Sequence, residues 1–189
     1  MLTGQRILIY GVTGSGKTSL AARLRELTGL PWTEVDSLTW EPGWIEVPTD
    51  LQRERIAAIC SQERWILDSA YAKWIDIPLA RVDLIIGLDY PRAVSLLRLL
   101  RRTFMRAWDK KPICNGNFES WRIVFSTQSI LVWHFKSFRR KSKRIREWER
   151  DGSIPVLRFT RPHHVERWLQ GIATGQDSGN SEGSHQVFN

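Results

Sequence analysis

An α/β fold built on a parallel sheet is what this sequence predicts, and two observations predict it. Short apolar runs alternate with segments of helical spacing, the pattern of strands connected by helices. The first of those runs, Arg6 to Tyr10, leads through a glycine-rich loop straight into a helix. At 189 residues the chain has the length of one domain and enough of it to enclose a genuine core.

Taken in order, Arg-Ile-Leu-Ile-Tyr at 6–10 reads as a strand buried on both faces. Lys17 to Leu27 places Leu20, Ala21, Leu24 and Leu27 on one helical face, and Thr28, Gly29 and Pro31 stop that helix. A short strand at Thr33 to Val35 is followed by an irregular stretch, Asp36 to Thr49, rich in Trp and Pro, after which Thr49 or Asp50 caps a helix to about Ser61. Trp65 to Leu67 and Val82 to Leu88 are strands that each run into a carboxylate, Asp68 and Asp89. Ala93 to Trp108 is a helix with Val94, Leu97, Leu100, Phe104 and Trp108 as its apolar face, and Arg98, Arg101, Arg102 and Arg106 elsewhere on it. Asp109 to Ser120, with Pro112, Gly116 and two Asn, reads as a loop or small lid. A second basic helix to Trp148, a strand at Ile154 to Phe159 and a helix at Pro162 to Leu169 complete a domain over 1–170. Gly, Ser, Asn, Asp and Gln dominate from Gly171, so 171–189 is expected to be a disordered tail without catalytic role. The sheet is thus expected to have about five parallel strands with right-handed crossovers, its ligand site at their carboxyl ends, where Gly11, Asp36, Asp68, Asp89 and Thr160 fall.

Composition narrows the function. Charged residues at 25% and apolar ones at 42% are those of a globular protein. The longest apolar runs, Ile7 to Val12 and Leu84 to Leu88, are too short to cross a bilayer, and no basic and apolar leader opens the chain; a cytoplasmic location without a membrane partner is expected. Cys60 and Cys114 lack any metal or redox spacing and read as inert thiols, and His134, His163 and His164 read as structural or exposed. Ten tryptophans follow no fixed period, which argues against repeats. The net charge of +8 is concentrated: residues 91–150 hold 16 basic and 4 acidic side chains, leaving the rest mildly acidic. Such a block fits a polyphosphate ligand, a nucleic acid, or a solvated helical face.

One motif separates these readings. Gly11-Val12-Thr13-Gly14-Ser15-Gly16-Lys17-Thr18 matches G-x-x-x-x-G-K-[ST] and stands between a buried strand and an amphipathic helix, as the mechanism requires. Glycines let backbone N–H groups converge on a phosphate, the helix N-terminus adds partial positive charge, and Lys17 reaches the β- and γ-phosphates. Gly11, Thr13, Gly14, Ser15, Gly16, Lys17, Thr18 and Ser19 are therefore the expected nucleotide contacts, with ATP as ligand. Thr18, with Asp68 or Asp89, would hold Mg²⁺, although a strand-end Asp also makes an ordinary cap or turn. The fold expected is that of a P-loop NTPase.

These residues resemble a family. The phosphate loop, Asp36 with Trp40 and Trp44, Trp65-Ile66-Leu67-Asp68-Ser69-Ala70-Tyr71 and Asn115-Gly116-Asn117-Phe118-Glu119-Ser120 together look like the adenylate-kinase-related proteins labelled DNA topology modulation proteins, over roughly residues 5–170. The resemblance implies a nucleoside monophosphate kinase-like core with ATP as donor. Ser69-Ala70 and Phe118 stand where the family usually shows Gly-Asn and an Arg.

Phosphoryl transfer also needs cations on the transferring oxygens, and Arg98, Arg101 and Arg102 before the lid, with Arg139 and Arg140 after it, are placed to supply them. The catalytic set expected is Lys17, Asp36, Asp68, Arg98, Arg102 and Arg139. Three readings stand: transfer of the γ-phosphoryl of ATP to a nucleotide, transfer to a small hydroxylated metabolite with Asp36 as base, or an ATP-binding protein associated with nucleic acid. The last is the least favoured, because no DNA-binding motif is visible.

Overall fold

In the computed structural model, residues 4–109, 130–175 and 187–188 are described. The elements run β1 (Arg6–Gly11), α1 (Lys17–Thr28), β2 (Trp32–Thr33), α2 (Val35–Thr39), β3 (Trp40–Glu41), β4 (Ile45–Glu46), α3 (Thr49–Cys60), β5 (Trp65–Leu67), α4 (Asp76–Leu79) and β6 (Leu84–Leu88). They continue with α5 (Arg92–Asp109), α6 (Ile130–Asp151), β7 (Val156–Phe159), α7 (Pro162–Ala173) and β8 (Val187–Phe188). One parallel sheet has the order β2-β5-β1-β6-β7-β8, and β3 and β4 form a separate antiparallel hairpin.

The apolar runs sit where such runs must. β1 and β6 are central, and Ile7, Leu8, Ile9, Ile85 and Ile86 are completely buried because helices cover both faces of the sheet. One apolar layer gathers Leu20, Ala21 and Leu24 of α1 with Val165, Trp168 and Leu169 of α7, and the other gathers Ile56, Trp65, Trp74 and Ile145. Gly87 is needed for the second layer: a Cβ there would come within 2.6 Å of Ile145 Cγ2, so the absence of a side chain on β6 is what lets α6 lie against the sheet. The buried polar groups of Trp74 and Gln52 are paired: Trp74 Nε1 donates to Gln52 Oε1 at 3.1 Å and Gln52 Nε2 to the Val47 carbonyl at 2.6 Å, tying α3 to the end of the hairpin. Cys60 is buried and its thiol is pushed up to about 11 by that burial, the inert state expected of it, whereas Cys114 lies outside the described residues.

Three expectations change. The apolar face assigned to α5 is turned the other way: Leu97, Leu100 and Phe104 are 66%, 42% and 56% exposed, while Ser95, Leu99 and Thr103 are buried. The cause is the phosphate loop. Gly14, at φ 82, lies so close to α5 that a Cβ would meet the Ser95 carbonyl at 2.4 Å, so the helix presents its small and polar face inward. The irregular stretch after β2 contains a five-residue helix, α2, and the β3–β4 hairpin. Finally, α7 continues to Ala173, because Ile172 extends the apolar period onto the core, and β8 pairs with Arg158 and Phe159 of β7. The disordered tail expected over 171–189 is corrected at both ends; residues 176–186 and 189 lie outside the described set, as does the expected lid at 109–120 apart from Asp109. Among the described residues no helix is long and apolar enough to cross a membrane.

Candidate active site

A cleft of about 1160 Å³ opens at the carboxyl ends of the strands, large enough for more than one small ligand, since a single-ligand site typically occupies about 300–1,000 Å³. The phosphate loop forms one side. Gly16 caps α1 in the left-handed conformation at φ 96 with no side-chain cap, so the first N–H groups of the helix keep their polarity for a ligand. Thr13, Gly14, Ser15, Gly16, Lys17, Thr18 and Ser19 all line the cleft, while Gly11 ends β1 beneath them. The Ser15 hydroxyl is buried and has no hydrogen-bond partner among the described residues, a state that costs free energy unless a ligand supplies one.

Lys17 donates from Nζ to the Val12 carbonyl at 3.1 Å. Desolvation lowers its pKa, opposed by the charges of Asp36 and Asp68 and assisted by Arg102. Asp68 is buried; its Oδ2 accepts the Thr18 hydroxyl at 2.8 Å and its Oδ1 accepts the Val35 N–H at 2.9 Å. Desolvation raises the Asp68 pKa against those two hydrogen bonds. A threonine hydroxyl and a carboxylate oxygen in contact at the head of a phosphate loop are hard oxygen donors, the set that suits Mg²⁺ when phosphate oxygens complete the sphere. No cluster of three or more His, Cys, Asp or Glu that could hold a metal ion occurs among the described residues.

Asp36, on α2, also lines the cleft and accepts the Tyr71 phenol on Oδ1 at 2.8 Å. Burial, then the Asp36 charge, pushes the Tyr71 pKa up, so the phenol keeps its proton and donates. Asp89 does something else. It lies outside the cleft lining, its oxygens taken by Ser142 Oγ at 2.5 Å, Arg146 Nε at 3.0 Å and Arg158 Nη1 at 3.3 Å. The metal role expected for Asp89 is therefore corrected: its strand-end carboxylate fastens α6 and β7 to the sheet.

Cations face the loop from α5 and α6. Arg98 Nη1 donates to the Ser15 carbonyl at 3.4 Å, and Arg102 lines the cleft beside it. Arg139 is exposed and outside the lining, where Arg140, Lys141 and Arg144 of the same helix stand instead. Lys141 donates to the Gly11 carbonyl at 3.2 Å and lies 5.2 Å from the Tyr10 ring. Burial first, then the charge of Lys17, depresses its pKa to about 7. Helical register was the signal that could have found it, since Lys141 and Arg144 share the face of Ile145 and Trp148 that packs on the sheet. His134, buried on the same helix with Nε2 3.0 Å from Ser95 Oγ, joins α6 to α5, the structural role expected of it.

Sheet order, phosphate loop and flanking helices define a kinase-like P-loop fold. No protein-family model matches the chain. An uncharacterized protein, YqaC, from Bacillus subtilis (strain 168) is 24% identical over 165 residues, covering 82% of this chain and 88% of that protein. Shikimate kinase from Aquifex aeolicus superposes with a TM-score of 0.50 at 15% identity, covering 92% of this chain and 99% of that one. Deoxyadenosine kinase from M. mycoides gives a TM-score of 0.49 at 13% identity over 91% and 98% of the two chains. A gluconokinase from Sinorhizobium meliloti gives 0.47 at 19% identity over 89% and 91%.

Proposed function

We propose that this protein is an ATP-dependent phosphotransferase, a P-loop kinase that passes the γ-phosphoryl of ATP to a small acceptor in the cytosol. The observation that carries this is the Thr18–Asp68 contact at 2.8 Å, held beside Lys17 and faced across the cleft by Arg98, Arg102, Lys141 and Arg144. Mg²⁺, held by Thr18 and Asp68, would neutralise phosphate charge and fix the angle of the transferring group. The first turn of α1 and Lys17 bind the phosphates, Asp68 holds Thr18 in position, and the cations of α5 and α6 face the charge that develops in transfer. The nucleoside monophosphate kinase and DNA topology readings rest on resemblance alone. Five cations of the basic block, Arg98, Arg102, Arg140, Lys141 and Arg144, line the cleft, which supports a triphosphate as their partner. The test uses ATP labelled at the γ-position, Mg²⁺ and a dialysable metabolite extract. Label is expected in a small organic product; label confined to inorganic phosphate overturns the reading.

Lys141 gives this reading a pH signature. Its depressed pKa of about 7 means that the free protein holds it mostly neutral above neutrality. A triphosphate beside it favours the ammonium, so binding takes up a proton there and affinity falls as pH rises from 7 to 9, by at most tenfold per pH unit. Calorimetry of Mg·ATP binding in two buffers of different ionisation enthalpy at pH 8 is expected to show that uptake, and Lys141→Arg, permanently charged, is expected to abolish it.

A further inference from the structure

The part of the cleft away from the phosphate loop has a chemistry of its own. Asp36, Trp40, Trp44 and Tyr71 line it together. The Tyr71 phenol donates to Asp36 Oδ1, which fixes the carboxylate; Asp36 Oδ2 takes no hydrogen bond among the described residues. Asp36 acts electrostatically on both Lys17 and Lys141, so this bay adjoins the place where the γ-phosphate would lie.

Both indoles are placed by an unusual turn. In the β3–β4 hairpin, Gly43 has φ 82 and Trp44 has φ 59, and Trp44 is the one residue other than glycine with positive φ among those described. A bulky side chain seldom adopts that backbone, and such strain clusters at ligand sites. Here it sets the Trp40 and Trp44 rings 6.1 Å apart at 72°, bordering the same bay as the carboxylate.

Charge is divided across the cleft. Arg98, Arg102, Arg140, Lys141 and Arg144 gather on the phosphate-loop side, whereas Glu34, Asp36 and Glu46 lie on the acceptor side, where Lys73 is paired with Glu46. A nucleoside monophosphate would bring close to two negative charges among three carboxylates. An uncharged ring brings none, lays an apolar face on an indole and offers a hydroxyl to Asp36.

We propose that the acceptor is a neutral polyhydroxylated ring compound, of the sugar, cyclitol or nucleoside class, recognised by Trp40 and Trp44 and phosphorylated on the hydroxyl that donates to Asp36; this rests on the kinase reading above. In the transfer, Asp36 Oδ2 takes the hydroxyl proton as the hydroxyl oxygen bonds to the γ-phosphorus. The bond from that phosphorus to the β–γ bridging oxygen breaks, and its electron pair leaves with ADP. The products are a phosphomonoester, ADP and a protonated Asp36 that returns its proton to water.

The test offers ATP labelled at the γ-position with glucose, ribose, myo-inositol, adenosine or thymidine, and separately with AMP, CMP, GMP or UMP. Labelled ester is expected from at least one neutral ring and from none of the monophosphates. With that acceptor, Asp36→Asn is expected to lower kcat by about 10²-fold with little change in KM. Trp44→Gly is expected to raise its KM about tenfold or more, by loss of the stacking surface. Glycine accepts φ 59 without strain, so this variant is expected to keep the wild-type melting temperature and ATP affinity, which separates recognition from folding. Transfer to a monophosphate, an unchanged acceptor KM in Trp44→Gly, or no transfer to any neutral ring by a protein that still binds ATP through Lys17 each overturns the proposal and leaves the kinase reading standing. Absence of ATP binding overturns the kinase reading instead.

Discussion

Lys17→Ala is expected to abolish phosphoryl transfer, with a loss of about 10³-fold or more, because it removes a charge preorganised in a desolvated site where transition-state charge develops. Folding is expected to survive. The ammonium is held at a depressed pKa by desolvation, so the unfolded chain binds its proton more tightly, and burial of the charge subtracts from native stability at neutral pH. Its removal also withdraws an attraction from Asp36 and Asp68, and the two effects oppose one another. The melting temperature is expected to move by no more than about 2–4 °C, the equivalent of roughly 1 kcal/mol in a chain of this size. Activity lost with melting unchanged identifies Lys17 as part of the machinery; wild-type turnover in this variant would remove the phosphate-loop reading altogether.

What the sequence reveals of this site depends on how far apart its parts lie along the chain. The loop from Gly11 to Thr18 is contiguous and its chemistry is local, so strand, loop and helix could be placed from residue types alone. Asp68 follows a three-residue strand, and the parallel pairing of β5 with β1 brings it to Thr18 across 50 residues; strand ends are legible once the sheet is inferred. Helical rotation is not legible in the same way. The apolar stripe at Leu97, Leu100 and Phe104 is the obvious inward face of α5, yet close approach of Gly14 to Ser95 sets the opposite face inward. Lys141 and Arg144 separate from Arg139 within the basic run only when their register with Ile145 and Trp148 is used, and packing of Ile145 against Gly87 fixes that this face meets the cleft. The Trp44 turn was hidden for a related reason: Pro-Gly marks a turn, but nothing in the residue types shows a tryptophan carried at positive φ.

Asp68 and Asp89 are both strand-end carboxylates, of which Asp68 has by sequence the better claim to the metal, and their substitution by asparagine is expected to have opposite consequences. Asp68→Asn keeps an oxygen to accept from Thr18 or Val35 but loses the charge that would hold the metal, so activity is expected to fall by about 10²–10³-fold at saturating Mg²⁺. Its stability is expected to hold or rise. The folded carboxyl has a raised pKa, set mainly by desolvation, so the native state binds this proton more tightly than the unfolded chain. Ionisation above the unfolded value of about 3.9 therefore costs native stability, and a neutral amide is spared that cost. Asp89→Asn leaves the cleft untouched and strikes the joint between β6, α6 and β7, where the carboxylate meets Arg146 and Arg158 with a side chain only 2% exposed. Arg158 retains Glu149 but loses its buried partner, which costs about 2–3 kcal/mol and about 4–12 °C in melting temperature. Turnover per folded molecule is expected to stay within about threefold of wild type, as its partners lie off the phosphate loop. Parallel melting curves and Mg²⁺ titrations of the two variants decide the matter: a lowered melting temperature with Mg²⁺-dependent turnover retained in Asp68→Asn, together with a collapse of that turnover in folded Asp89→Asn, would move the metal role from one carboxylate to the other.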